Sequence, residues 1–212
     1  AIGADRGDVL GVSFITFLAP GLISMQVIQQ SFSHSSSSFM IGKIQGNIVD
    51  LLYAPLSATE VTISVTLAAV TRSVMIAIVS IIVFKLIIDI EITNYFLLIV
   101  FTLLSSFILG NIGIIAGLWA EKFDHMATVT NFVIVPLSFL SGTFYSIDRL
   151  PEILQMISKA NPFFYMIDGF RYGFLGINDG SLNIGIIFLL IGNISSILLC
   201  MYIFKNGYRL RN

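Results

Sequence analysis

The stretch Tyr95-Phe-Leu-Leu-Ile-Val-Phe-Thr-Leu-Leu-Ser-Ser-Phe-Ile-Leu-Gly-Asn-Ile-Gly-Ile-Ile-Ala-Gly-Leu-Trp-Ala120 decides the class of this protein. It holds no charged residue and exceeds the ~20 apolar residues that cross a hydrocarbon core of about 30 Å as a helix. It is apolar all round, and about twice the length of the ~10-residue alternating strands of a membrane barrel, so it reads as a transmembrane helix. Outward from it, four further stretches share its character: Val9 to Phe32, Val61 to Phe84, Met126 to Tyr145 and Leu182 to Phe204. Of all five, the second alone contains a charge, Arg72. The expected fold is therefore an all-α polytopic membrane protein, a single transmembrane domain over residues 1–212. Composition agrees, with 56% hydrophobic and 11% charged residues among 212 and a mean hydropathy of +0.94, against about a quarter charged in soluble domains. Those values exclude a soluble enzyme core. One Cys excludes internal disulfides, and a net charge of -1 offers no clustered positive surface for nucleic acid.

The chain begins Ala-Ile-Gly with no basic stretch ahead of the first span, so no signal peptide of the usual form is expected. Five spans put the termini on opposite sides, and the loop Lys/Arg count chooses the cytoplasmic one. It ties: Lys43, Lys122, Lys205, Arg209 and Arg211 on one side, and Arg6, Lys85, Arg149, Lys159 and Arg171 on the other. Three of the first set sit in the short tail Lys205–Asn212, directly beside a span, which favours a cytoplasmic C-terminus.

Two connections are structured by their pattern. In Phe39-Met-Ile-Gly-Lys-Ile-Gln-Gly-Asn-Ile-Val-Asp-Leu-Leu-Tyr-Ala-Pro55, the residues Ile41, Ile44, Ile48, Leu51 and Leu52 recur at helical spacing, with Lys43, Gln45, Asn47 and Asp50 between them. This predicts an amphipathic helix over 41–56, stopped by Pro55 and lying at the interface or against a partner. The segment 148–175 predicts two short helices. Asp148 is the candidate cap of the first, with Pro151 in its opening turn, Glu152 near its positive end and Lys159 near its negative end. Asn161 and Pro162 then restart the chain as cap and first residue of a second helix, whose Phe163, Ile167, Phe170 and Phe174 form one apolar stripe. Each is too short to cross, which suits a re-entrant or interfacial hairpin. The run Ser33-His34-Ser35-Ser36-Ser37-Ser38 reads as the polar end of the first span.

Little here does covalent chemistry. His34, His125 and Cys200 fall in different regions, so no metal site is expected, and no G-x-S-x-G elbow is present. Gly42-Lys43 is followed by Ile44 and lacks the upstream glycine of a phosphate-binding loop, so any ATP is handled elsewhere. Arg72 is the oddity. A charge near mid-span costs about 2.5–3.5 kcal/mol on insertion scales and faces protein or water, which makes it a functional candidate equally open to a purely structural role. Gly110, Gly113 and Gly117 make a smooth stripe for close helix approach. Pro20 and Pro136 predict kinks, and Asn131 and Asn193 are candidates for pore lining or for hydrogen bonds between helices.

In order along the chain, Leu18-Ala-Pro-Gly-Leu22, Asn47-Ile-Val-Asp-Leu-Leu-Tyr-Ala-Pro-Leu56, Pro136-Leu-Ser-Phe-Leu-Ser-Gly-Thr-Phe-Tyr-Ser146 and Asn161-Pro162 leading into Gly169-Phe-Arg-Tyr-Gly-Phe-Leu-Gly176 resemble the permease subunit of ABC-2 type ABC transporters. That family includes exporters of polysaccharides, drugs and nodulation factors. The resemblance implies a six-helix half-transporter of the bacterial inner membrane, of which these residues look like helices two to six, without the N-terminal interface helix and first span. It implies a second permease copy, most simply a homodimer, surrounding lipid, and a separate ATPase subunit that carries the ATP and Mg, with no cofactor on this chain. Lys43, Asn47, Asp50, Leu51 and Pro55 then look like part of a coupling helix, and Pro151, Asn161, Pro162 and Arg171 like part of an extracellular re-entrant pair. Arg72, the three glycines and Asn131 would line the path or pack it. A non-transport anchor or scaffold is the competing reading, and it requires no ATPase.

Overall fold

The computed structural model describes residues 8–47, 54–88 and 91–206. It opens with a two-residue antiparallel pair, β1 (Asp8–Val9) and β2 (Val12–Ser13), closed by Leu10 and Gly11 at positive φ of 51° and 81°. Seven helices follow: α1 (Phe14–Gln45), α2 (Ala58–Ile87), α3 (Tyr95–Trp119), α4 (Phe123–Leu140), α5 (Glu152–Ala160), α6 (Pro162–Leu175) and α7 (Leu182–Lys205). By length and composition α2, α3, α4 and α7 can each cross a membrane.

α1 departs from the expected first span. It starts at Phe14, where the Ser13 hydroxyl accepts from Thr16 N, because residues 9–13 are spent on the hairpin. It then runs 32 residues, about 48 Å at 1.5 Å per residue, unbroken through Pro20. The serine run lies inside it and is not its polar end. Ser36, Ser37 and Ser38 turn their hydroxyls onto carbonyls of the same helix, so the backbone absorbs them without leaving helical geometry. This polar content keeps α1 out of the apolar set, yet it is well enclosed, with α3 and α2 packed along it.

The glycines of α3 face that contact. A Cβ on Gly113 would stand 2.5 Å from Phe32 O, and one on Gly117 would stand 2.7 Å from Ser36 O, both on α1. On Gly110 it would meet Thr66 of α2 at 3.2 Å. Buried polar groups tie α3 to its other neighbours, α2 and α7. Asn111 accepts from the Thr66 hydroxyl of α2 (2.7 Å) and donates to Ser196 of α7 (3.1 Å), while Ser73 of α2 donates to Ser106 of α3 (2.8 Å). Asn193 of α7 donates to the Leu104 carbonyl (3.1 Å). Such bonds help to hold helices together where the surrounding lipid is as apolar as their side chains.

The helix ends carry their own signals. Ser57 and Glu60 form a reciprocal capping box on α2, and Asn94 accepts from Leu97 N at the start of α3. α4 differs from the expected 126–145 at both ends and in its middle. It stops at Leu140, where Ser141 and Thr143 direct hydroxyls to the Leu137 and Ser138 carbonyls and Gly142 takes a φ of 78°. Residues Thr130–Ile134 form a π turn in which Val135 N donates to Thr130 O. That widened turn immediately precedes Pro136, whose ring would otherwise press on the carbonyl four residues back.

The hairpin 148–175 is two helices, as the pattern expects, with one change of cap. Ser146, and not Asp148, accepts at the start of a short 3-10 turn over Ile147–Arg149, and Pro151 precedes the first residue of α5. The Asn161 carbonyl oxygen Oδ1 accepts from Phe163 N, opening α6 with Pro162 in its first turn.

Candidate functional site

Three clusters carry the polar chemistry, one at each end of the bundle and one at mid-depth. At the first end, α1 closes on Gly46, whose φ of 77° is left-handed. The continuous helix expected over 41–56 is therefore interrupted: its first residues are the last turn of α1, Asn47 lies beyond the break, and Pro55 is exposed and outside any helix. Asp50 and Leu51 lie outside the described residues. Lys43 points inward. Its Nζ donates to Leu118 O and, at 3.2 Å, to Ala120 O, placing a cation on the carbonyl-rich end of α3. Next to it, Trp119 and His125 lie with rings 5.4 Å apart, and His125 Nδ1 accepts from Glu121 N. Replacing Lys43 with methionine removes donors from both carbonyls, and thermal unfolding in detergent should show a loss of about 1–2 kcal/mol; an unshifted midpoint would mean that the clasp contributes nothing.

At the opposite end, Arg171 is fully buried in α6. Its Nη2 donates to Gly142 O (2.5 Å), its Nη1 lies 3.8 Å from Asp179 Oδ2, and its guanidinium carbon stands 4.0 Å from the centre of the Phe17 ring of α1. Asp179 also accepts from the Ser146 hydroxyl (2.5 Å) and Ile147 N (3.2 Å). Asp168 accepts from Asp179 N (2.7 Å) and Gly180 N (3.0 Å), and burial pushes its carboxyl up to about 6 despite those bonds. One guanidinium thus joins α1, the 142 turn, α6 and the loop into α7. The elbow between α5 and α6 completes this end. Asn161 donates to Leu137 O (3.0 Å) and Ser141 Oγ (2.8 Å), and Ser158 donates to Leu140 O (2.8 Å), so the last carbonyls of α4 are satisfied from outside the helix.

At mid-depth, Arg72 of α2 is exposed, with Nη1 3.3 Å from His34 Nδ1 of α1. Asn131 is also exposed, within the π turn of α4. The residues singled out from sequence are therefore not one site. The structure draws Gly113 and Gly117 against α1, gathers Asn161 and Pro162 with Arg171 at one end, and holds Lys43 at the other. Sequence reading missed Asp168, Asp179, Asn111 and Ser196. For the first two a signal existed, since an Arg within a short apolar helix calls for a carboxylate nearby.

Residues 5–175 match the ABC-2 type transporter family. The inner membrane transport permease YadH of Escherichia coli strain K12 is 34% identical over 211 residues, covering 100% of this chain and 82% of that protein. Nodulation protein J of Rhizobium leguminosarum biovar viciae is 26% identical over 199 residues, 88% of this chain and 73% of that protein. Nodulation protein J of Neorhizobium galegae is 23% identical over 193 residues, 90% of this chain and 74% of that protein.

Proposed function

The chain belongs to the ABC-2 type transporter family, and from that premise we propose that it is the permease subunit of an ATP-driven exporter working as a pair of copies with a separate ATPase. It is a multi-pass protein of a bacterial inner membrane with a role in membrane transport. In this reading α1 crosses as a fifth span, the end near Lys43 and Pro55 is cytoplasmic, and α5 and α6 sit at the outer face. The substrate is an amphiphile such as a lipid-linked glycan or a hydrophobic drug. ATP and Mg belong to the partner subunit, and this chain supplies the path.

The observation that carries the reading is α1 itself. One unbroken helix joins the segment around Lys43 and Gly46 to Phe17, which lies under the Arg171 guanidinium at the opposite end. A push on the residues beyond Gly46 when the ATPase subunits close passes through that break and then along a rod held by the α3 glycines to the outer elbow. The break at Gly46 separates the segment that receives the push from the rod that conveys it.

Changing Asp50 or Leu51 to alanine is expected to cut substrate-stimulated ATP hydrolysis and export at least several-fold while membrane insertion stays normal. Unchanged coupling in both variants would remove the 41–56 segment from its proposed role. A mild-detergent purification should also bring down a stoichiometric ATPase with a phosphate-binding loop, and a clean homo-oligomer without one would favour an anchor or scaffold.

A further inference from the structure

The turn that joins α6 to α7 is fastened to a buried carboxylate. Asp168, 3% exposed, accepts from Asp179 N through Oδ1 (2.7 Å) and from Gly180 N through Oδ2 (3.0 Å), so one side chain of α6 holds two successive amides of the turn. Gly180 comes so close that a Cβ on it would stand 3.0 Å from Asp168 Oδ2 and 2.9 Å from the Phe164 ring. The turn is seated on α6 in direct contact.

The charges enclosed here do not balance. Two carboxylates, Asp168 and Asp179, share one cation, Arg171, which leaves one negative charge in excess. The guanidinium does not saturate them: Nη1 lies 3.8 Å from Asp179 Oδ2, Nη2 is spent on Gly142 O, and Nε is buried without a hydrogen bond. The surrounding elements add no enclosed charge. The ionisable residues of α1 are His34 and Lys43, both beyond its midpoint, and that of α3 is Tyr95. Those of α7 are Cys200, Tyr202 and Lys205 at its far end, and α4 has Asp124 and His125 at its own far end. Glu152 and Lys159 of α5, Asp148 and Arg149 of the turn before it, Asp8 of β1, and Lys85 and Glu91 between α2 and α3 are exposed, while Tyr165 and Tyr172 of α6 are half-buried phenols.

An uncompensated charge in an enclosed site is costly, and a single proton cancels it. Burial accordingly raises the Asp168 carboxyl from its ordinary 3.8 to about 6, against the opposing pull of the two amides and Arg171.

We propose that Asp168 makes the turn between α6 and α7 a proton-linked latch: in acid one proton on its carboxyl neutralises the closed cluster, and that proton passes to water when the turn opens. The closed turn binds the proton more tightly than a water-exposed Asp168 does, so acid favours the closed form and the preference fades as pH rises through 6. From 3.8 open and about 6 closed, the opening constant grows about tenfold between pH 5 and pH 7.5. The latch is independent of the exporter reading, and it is set at the corner where α7 leaves α6.

The test is hydrogen exchange of the full-length protein in maltoside detergent, followed by mass spectrometry on peptides covering 176–181 and corrected for the intrinsic pH dependence of amide exchange. Protection of this turn should fall about tenfold from pH 5 to pH 7.5 while peptides of α3 stay level. Asp168→Asn, neutral at both pH values, should show the same protection at each. An infrared carbonyl band of a protonated carboxyl, titrating near pH 6 and absent from Asp168→Asn, reports the proton itself. Equal protection at the two pH values in the unmodified protein overturns the latch, whether or not the variant folds. So does a pH dependence, or an acid band titrating near pH 6, that persists in Asp168→Asn.

Discussion

Gly113→Val is expected to prevent recovery of monodisperse protein. The first added carbon would already stand 2.5 Å from Phe32 O and 3.0 Å from Ser35 Cβ, and the two further methyls have α1 on one side and their own helix on the other. The obstructing oxygen belongs to helical backbone, so it cannot turn aside as a side-chain tip could. Overpacking a close contact costs about 1–3 kcal/mol where neighbours can shift, and this contact sits where close approach of backbones is the main adhesive force. Gly192→Ala is the matched control: its Cβ would meet the terminal Cδ1 of Ile108 at 3.2 Å, a side chain able to move. Size-exclusion profiles and detergent melting curves decide. Equal yields and midpoints for the two variants would mean that α1 and α3 are not held at this distance.

Arg171→Met should be nearly as damaging, for an electrostatic reason. Removing one partner of a buried ion pair strands the other, at about 3–5 kcal/mol. Asp179 is fully enclosed and would keep only the Ser146 hydroxyl and Ile147 N. Gly142 O would lose its donor and the Phe17 ring its cation. The double variant Arg171→Met with Asp179→Asn removes both charges and should recover a substantial part of the loss. A single variant melting with the unmodified protein would show that the guanidinium is not what fastens this end.

Much of this architecture was legible from periodicity. Apolar length alone located α2, α3 and α7 within a few residues, and Asn161-Pro162 marked the start of α6, because capping and proline geometry are local. α1 was not legible as one helix. Serines that read as the polar end of a span are neutralised by bonds to their own helix, and the Gly46 break falls inside a run with perfect helical spacing. The π turn had an indirect signal in Pro136, but the extra residue could be accommodated in more than one turn before it. Of the polar clusters, Lys43 and Arg171 were visible as residues while their partners were not. Leu118 O and Gly142 O are backbone atoms with no identity in sequence, and Asp179 is brought to Arg171 by a reversal past Gly176, at a φ of 74°.

The polar interior of α1 also constrains how the protein is made. α1 precedes α3 in the chain, so Ser35 and Ser36 are made before the Gly113 and Gly117 surface that covers them. Their burial therefore waits on the completion of α3, and the packing of α1 is the last step of a pair rather than a property of α1 alone.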